Sequence, residues 1–184
     1  MTRIIAGELG GRRLHTPKGA LTRPTSDRTR EALFSSLVAR GVVKGARVLD
    51  LFAGSGALGI EAISRGATRA VLVDRDRSAV SAMKRSLGDL GLRSARVVAR
   101  DVGAFVGGPA EAFDLVFLDP PYDLTEELLG RILERLTDGW LAEDAVVVVE
   151  RSARSPEPTW PAGLELEQTR TYGETAIHIA QPGS

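Results

Sequence analysis

The chain has 184 residues, of which 43% are hydrophobic, and its 24 basic and 24 acidic side chains give a formal net charge of zero. That length is ordinary for one α/β domain with a sizeable core. The absence of cysteine excludes disulfides, thiolate zinc sites and cysteine-ligated iron–sulfur clusters. His15 and His178 lie far apart in sequence and do not suggest a metal site. Since no segment has the ~18 apolar residues of a membrane span or the apolar region of a signal peptide, we expect a cytoplasmic protein.

The first 40 residues are basic. They hold eight basic and three acidic side chains, a surplus that the rest of the chain balances. Turn residues at Gly10-Gly11 and at 17–19 predict a hairpin and an extended arm over residues 1–24. A basic arm on an acidic body is typical of a phosphate-binding surface, although an ordinary solvated face has the same composition. The candidate polyanion-binding residues are Arg3, Arg12, Arg13, Lys18, Arg23, Arg28 and Arg30.

A helix is predicted over residues 26–40. Ser26 is a suitable N-cap, an apolar face begins at Leu33 and Phe34, and Gly41 follows the last helical residue. Arg28 and Arg30 fall in the first turn, where positive charge opposes the helix dipole. Because neither side chain stabilises the helix there, we expect both to bind a polyanion.

The rest of the chain alternates between strands and helices. Strands are predicted near 47–52, 70–74, 95–99, 114–118 and 145–150, and helices near 57–65, 77–90 and 125–136. This alternation predicts an α/β fold with a mostly parallel sheet and helices on both faces. Residues 164–171 and 175–180 predict a terminal antiparallel hairpin, which brings the sheet to seven strands, and the N-terminal hairpin is an extension to it.

The first strand leads into a glycine-rich turn. Gly54, Gly56 and Gly59 match G-x-G-x-x-G, in which glycine permits a tight turn and a close approach of the ligand. The amides at the following helix N-terminus attract an anionic group. The next strand ends at Asp74, a carboxylate that can hold a ribose diol. The pattern serves nicotinamide dinucleotides and S-adenosylmethionine alike, so it leaves both cofactors open.

A second motif, Asp119-Pro120-Pro121-Tyr122, follows the apolar run 113–118. Proline cannot continue a central strand, so Asp119 is expected at the carboxyl end of a strand, where open α/β sheets bind ligands. A hydrogen-bond acceptor, a rigid turn and an aromatic ring suit a planar base that carries an NH2 group. A strand-ending turn with an incidental tyrosine is the plainer alternative.

Together the two motifs resemble those of Rossmann-like S-adenosylmethionine-dependent methyltransferases that act on amino or amide nitrogens. The chain is most similar to the RsmD family, which methylates the N2 amine of one guanine in 16S ribosomal RNA, the guanine conventionally numbered 966. The likeness covers nearly the whole chain. It includes residues 3–7, residues 11–14 and the segment 23–34, which is its most specific part because general methyltransferases lack it.

The resemblance implies a role for each motif. Asp119, Pro120 and Tyr122 would bind the target base, with Asp119 also accepting its proton. The expected S-adenosylmethionine contacts are Gly54, Ser55 and Gly56 with the amino-acid part, Asp74 with the ribose, and Asp101 and Val102 with the adenine. Asp50 lies on the strand before the glycines, where we expect it to support the loop; a buried, hydrogen-bonded structural carboxylate is the alternative. By spacing alone, Asp101 is equally compatible with a helix N-cap.

The resemblance also implies a partner and a division of the chain. The partner is 16S ribosomal RNA, within the small ribosomal subunit or an assembly intermediate, with neither a membrane nor a metal. Residues 1–40 would be an RNA-binding extension, and residues 41–184 the methyltransferase domain. Three alternatives stay open: another acceptor nitrogen (DNA adenine N6, a second RNA base or a glutamine amide), a dinucleotide-dependent oxidoreductase, and an RNA-binding protein without catalysis.

Overall fold

The computed structural model describes residues 2–19 and 26–183. Two short strands and a helix come first, and alternating strands and helices follow. The strands are β1 (Thr2–Arg3), β2 (Arg13–Leu14), β3 (Arg47–Leu51), β4 (Arg69–Asp74), β5 (Ala95–Ala99), β6 (Phe113–Leu118), β7 (Leu141–Ser152), β8 (Leu164–Tyr172) and β9 (Thr175–Pro182). The helices are α1 (Asp27–Ala39), α2 (Ala57–Ser64), α3 (Arg77–Leu90), α4 (Val102–Val106) and α5 (Glu126–Leu136).

Within the described residues, β3 to β9 form one seven-stranded sheet in the order β5-β4-β3-β6-β7-β9-β8. The strands from β3 to β7 are parallel, and β9 runs antiparallel to both of its neighbours. The predicted parallel sheet and terminal hairpin are therefore confirmed, as is the N-terminal hairpin, in which β1 pairs with β2. The chain leaves β3 toward β4 on one side and reaches β6 on the other, so a switch point, where such sheets bind ligands, lies between β3 and β6.

The helices cover both faces of the sheet. Helices α1, α2 and α3 pack on one face with the N-terminal strands, where the ring of Phe34 lies 5.6 Å from that of Phe117 in β6. Helices α4 and α5 cover the other face, where Trp140 contacts Phe105 and Phe113 and donates its indole N–H to the Val106 carbonyl. Because both faces are covered, the central strands are apolar on both sides.

Two elements differ from the sequence-based prediction. Strand β7 starts at Leu141, four residues earlier than expected, and its pairing with β6 shifts between Phe113 and Leu115, which gives the longer strand its irregular start. Helix α4 was predicted only as an alternative role for Asp101. Its five residues are too few for a clear apolar period, so the cap was its main signal.

The N-terminal arm, residues 2–19, is bound to α2 by a buried carboxylate. Glu61 is completely buried and accepts hydrogen bonds from the backbone N–H groups of Ile5 at 2.8 Å and Ala6 at 3.1 Å. It also pairs with Arg65 at 2.9 Å and lies 3.9 Å from the Arg30 guanidinium. One acidic side chain therefore joins the arm, α1 and α2.

A close backbone approach follows at the end of α2. The Ser64 hydroxyl donates to the Ala6 carbonyl at 2.6 Å and accepts from the Leu9 N–H at 2.9 Å. Gly7 has φ +84°, and a Cβ there would lie 2.0 Å from the Ser64 carbonyl oxygen. Position 7 thus requires glycine for both its conformation and its space.

The arm then runs along α3. The His15 N–H donates to the Ser86 hydroxyl at 2.8 Å, and the Lys18 N–H donates to the Ser78 hydroxyl at 2.6 Å. Because Ser86 lies in the second half of α3 and Ser78 at its start, the arm is antiparallel to the helix. Lys18 is consequently brought to the end of α3 that follows the carboxyl end of β4. The division of the chain at residue 40 stays a prediction.

Candidate active site

The glycine loop connects β3 to α2 through unusual backbone conformations. Phe52 has φ +60° although it is not glycine, and Gly54 and Gly56 follow at +60° and +78°. A positive φ costs a non-glycine residue about 1–3 kcal/mol and is found mainly at functional sites. A Cβ at Gly54 would have nothing within 4 Å, so open space lies beside the loop where the missing side chain would be.

Asp50, in β3, connects this strand to α2 on the far side of the glycine loop. It is 1% exposed, and its Oδ2 accepts a hydrogen bond of 2.9 Å from the Gly59 N–H in α2. Burial raises the pKa of the Asp50 carboxyl to about 8, with a smaller effect in the same direction from the charge of Asp74, while the Gly59 bond lowers it. Asp50 is therefore mainly protonated at neutral pH. A Cβ at Gly59 would lie 2.3 Å from Leu72, so this glycine is required for packing.

Asp74 connects the loop to β4. Its Oδ2 accepts from the Gly54 N–H at 2.9 Å, and its Oδ1 accepts from the Asp76 N–H at 2.9 Å. The residue is only partly buried. Since each carboxylate oxygen has a second lone pair, Asp74 can still accept hydrogen bonds from a ligand.

Asp101 lies after β5, the edge strand next to β4, and caps α4. Its Oδ2 accepts from the Ala104 N–H at 3.1 Å, and its side chain is 56% exposed with Oδ1 3.9 Å from Arg75. The cap uses Oδ2 alone, so Oδ1, on a largely exposed side chain, can accept a hydrogen bond from a ligand. Val102 follows with a buried side chain in the core, so any ligand contact there is to its backbone.

The Asp119 turn follows β6, the strand that pairs with β3. Leu51 and Leu118 are direct partners in this pair, so the glycine loop and Asp119 leave adjacent strands at the same edge of the sheet. Asp119 is partly buried and Pro120 is buried, whereas Tyr122 is 66% exposed. The turn thus presents an exposed aromatic ring three residues after a partly buried carboxylate.

Arg151, near the end of β7, supports this turn and was not predicted from the sequence. Its guanidinium is buried, donates to the Leu124 carbonyl at 3.3 Å and pairs with Glu126 in the first turn of α5. Thr125 caps the same helix by accepting from the Leu128 N–H. The only available sequence signal was a charged residue at the end of the apolar run 145–149.

The predicted polyanion-binding residues differ in their surroundings. Arg12, Arg13, Lys18 and Arg28 are exposed, and Arg3 is exposed but pairs with Asp27 at 3.0 Å. Arg23 lies outside the described residues.

Arg30 is only 2% exposed, and its guanidinium donates to the Arg3 carbonyl at 2.6 Å and to Asp27 at 3.1 Å. Burial lowers its pKa from the ordinary arginine value. Since its charge is compensated inside the protein by Asp27 and Glu61, we leave Arg30 out of the proposed RNA surface.

The comparisons with known proteins agree with this geometry. The fold, with its glycine loop and its acidic turn on adjacent strands, defines the class of Rossmann-like methyltransferases. The family described as conserved hypothetical protein 95 matches residues 2–181, and the chain belongs to this family, the RsmD family.

Two curated relatives are similar over most of their length. Ribosomal RNA small subunit methyltransferase D of Escherichia coli K12 is 39% identical over 180 residues, which cover 97% of this chain and 89% of that protein. The protein of the same name from Haemophilus influenzae is 34% identical over 97% of this chain and 93% of its own length.

Among solved structures, the Escherichia coli protein yhhF has a TM-score of 0.87 at 37% identity, covering 98% of this chain and 97% of its own. Magnesium protoporphyrin IX methyltransferase of Synechocystis, solved with bound S-adenosylmethionine, has a TM-score of 0.67 at 16% identity. It covers 85% of this chain and 79% of its own, and at this identity the likeness concerns the fold alone.

Among the described residues, no group of three or more His, Asp or Glu side chains is arranged to hold a metal ion. None of the helices in residues 2–19 and 26–183 is long and apolar enough to cross a membrane.

Proposed function

We propose that the protein transfers a methyl group from S-adenosylmethionine to the N2 amine of a guanine in 16S ribosomal RNA of the small subunit. The observation that carries the proposal is the pair of motifs on adjacent strands, the Asp74-anchored glycine loop after β3 and the Asp119 turn after β6. The relatives named ribosomal RNA small subunit methyltransferase D, similar over nearly the whole chain, support the choice of RNA.

The residues present fit S-adenosylmethionine. The open space beside Gly54 allows a ligand to approach the loop backbone, and Asp74 retains lone pairs for the two ribose hydroxyls. The exposed oxygen of Asp101 is a suitable acceptor for an adenine amine. When bound, S-adenosylmethionine supplies an electrophilic methyl group on sulfur. A nicotinamide dinucleotide would use the same loop, but it would leave the Asp119 turn without a function.

The acceptor side follows from the chemistry of an exocyclic amine. The lone pair of a guanine N2 is delocalised into the ring, so the amine is a poor nucleophile. The Asp119 carboxylate and the Pro120 carbonyl can accept hydrogen bonds from its two N–H groups, which orients the lone pair for attack. In this proposal Asp119 also accepts the proton that the amine loses. The exposed Tyr122 ring provides a surface on which an unpaired or flipped base can stack.

The test is transfer of labelled methyl to small subunits from a strain that lacks this methylation, with naked 16S RNA in parallel, followed by mapping of the modified base. We expect one N2-methylguanosine. Label on an adenine or a protein amide would show that the acceptor is one of the alternatives and not a guanine N2. Heat release on titration with NADH, and none with S-adenosylmethionine, would show a dinucleotide-dependent enzyme instead of a methyltransferase.

A further inference from the structure

Basic side chains are concentrated in a second segment besides the arm. Residues 75–100 contain seven basic and two acidic residues, whereas residues 101–184 contain five basic and sixteen acidic ones. The formal neutrality of the chain therefore arises from two halves of opposite charge. The N-terminal half of the catalytic fold is itself basic and is not a neutral support for the arm.

The cations of α3 and of the turn after it are not used in internal ion pairs. Arg77, Lys84, Arg85 and Arg93 are exposed, and none has a carboxylate partner among the described residues. Several arginines elsewhere are paired with an acid: Arg40 with Glu167, Arg47 with Asp114, Arg65 with Glu61, Arg131 with Glu127 and Arg151 with Glu126. A local excess of unpaired positive charge is unfavourable for the free protein, because like charges repel, but it attracts a polyanion.

These four cations and the arm form one surface. The backbone bonds of His15 and Lys18 to Ser86 and Ser78 hold the arm alongside α3, and the Arg12 guanidinium donates to the Asp89 carbonyl at 3.3 Å near the end of that helix. The surface is named the α3 basic face and consists of Arg12, Lys18, Arg77, Lys84, Arg85 and Arg93.

The α3 basic face begins beside the active site and extends away from it. Arg77 is three residues beyond Asp74, the predicted ribose ligand, and α3 has 14 residues, a length of about 21 Å at 1.5 Å per residue. At the far end Lys84 and Arg93 line a groove between α3 and β5, where a Cβ at Gly88 or Gly91 would meet nothing within 4 Å. A chain of phosphates can therefore approach the backbone closely there.

We propose that the α3 basic face binds the phosphates of the RNA that flanks the target nucleotide, so that the substrate runs from the Asp119 turn along α3. This inference rests on the proposed function. RNA fits this face better than an acidic protein segment does, because the face offers spaced cations and no large exposed apolar side chain to anchor a peptide. The cations read no sequence, since phosphate contacts position the nucleic acid while base contacts specify it.

The test compares two double variants that remove the same charge from exposed helix positions. Lys84→Gln with Arg85→Gln alters the face, and Arg131→Gln with Arg135→Gln alters α5 on the opposite side of the sheet. The Michaelis constant for methylation-deficient small subunits is measured at two salt concentrations, together with S-adenosylmethionine affinity by calorimetry and thermal unfolding.

We expect the Lys84/Arg85 variant to raise the KM on the order of ten-fold at low salt and to reduce the slope of log KM against log salt concentration by about two. Its cofactor affinity and melting temperature should match those of the wild type, and the α5 variant should keep the wild-type KM. Equal effects of the two variants, or unchanged KM and slope in the first, would overturn the proposal while wild-type transfer still supports the enzyme's function. A wild-type protein that neither binds nor methylates the RNA would contradict both the role of the α3 basic face and the proposed function.

Discussion

In the proposed function Asp119 contacts the acceptor base and not the cofactor. Its replacement should therefore change methyl transfer without changing cofactor binding. Asp119→Ala should lower kcat by at least about 10²-fold, the lower range for a positioned proton acceptor, and leave cofactor affinity nearly unchanged. Rates of methyl transfer and calorimetric titration with S-adenosylmethionine measure the two quantities. Asp123→Ala, an exposed position in the same turn, is the matched control. A large loss of cofactor binding by the Asp119 variant would place this carboxylate on the cofactor side instead.

At Tyr122 the ring should matter more than the hydroxyl, because the side chain is 66% exposed and available for stacking. Tyr122→Phe should keep most activity, whereas Tyr122→Ala should lose about 1–3 kcal/mol of base stacking. The comparison is made on kcat/KM for small subunits. Equal damage in both variants would indicate that the hydroxyl itself forms a hydrogen bond or moves a proton.

Asp50 should make stability depend on pH. Its pKa is about 8 in the folded protein against 3.8 as the ordinary value, so between these limits the folded state holds a proton that the unfolded chain has released. The free energy of unfolding should therefore fall as pH rises, by up to about 1.4 kcal/mol per pH unit, and level off above the folded pKa. Denaturant titrations of wild type and Asp50→Asn from pH 5 to 9 should diverge, with the variant gaining in relative stability. Parallel curves would mean that the carboxyl is ionised in the native protein.

At the scale of elements, sequence patterns predicted what depends on neighbours along the chain. Glycine loops, strand ends and the Ser26 cap of α1 are local signals, and Ser26 indeed accepts from the Thr29 N–H. The burial of Arg30 was not predictable, because Glu61 comes 31 residues later. Arg151 was missed for the same reason, since its partners Leu124 and Glu126 lie 27 and 25 residues earlier in the chain.

The contacts of Arg151 with the turn between β6 and α5 give a prediction for this residue. Arg151→Met keeps much of the side-chain length but leaves the Leu124 carbonyl and Glu126 without their partner. Because Glu126 is one-third exposed, the loss of stability should be smaller than the about 3–5 kcal/mol of a fully buried pair. We expect this variant to have a lower kcat on small subunits and normal cofactor affinity. Arg154→Met, at an exposed position nearby, is the control and should have the wild-type kcat. Wild-type kcat in the Arg151 variant would show that the turn keeps its conformation without these contacts.

At the scale of the whole molecule, Glu61 joins parts of the chain that the sequence suggested were separable. Glu61→Gln removes the charge that faces Arg30 and Arg65 in a buried cluster. It should lower the free energy of unfolding by on the order of 3–5 kcal/mol, or roughly 10 °C in melting temperature.

The matched control for this variant is Glu134→Gln on the exposed side of α5, which should melt like the wild type. A Glu61 variant with an unchanged melting temperature would show that the arm and α1 are held in place without this charge. In that case the division at residue 40 into extension and catalytic domain would gain support.

The position of the arm's partners also determines when it can fold during synthesis. The arm leaves the ribosome before its hydrogen-bonding partners in α2 and α3, which lie 55 to 77 residues downstream. At about 5–20 residues per second, the last of them is made roughly 4–15 s after the arm. Throughout that interval a basic segment that lacks its partners in α2 and α3 emerges beside ribosomal RNA. The arm is therefore made several seconds before the helices that hold it in place.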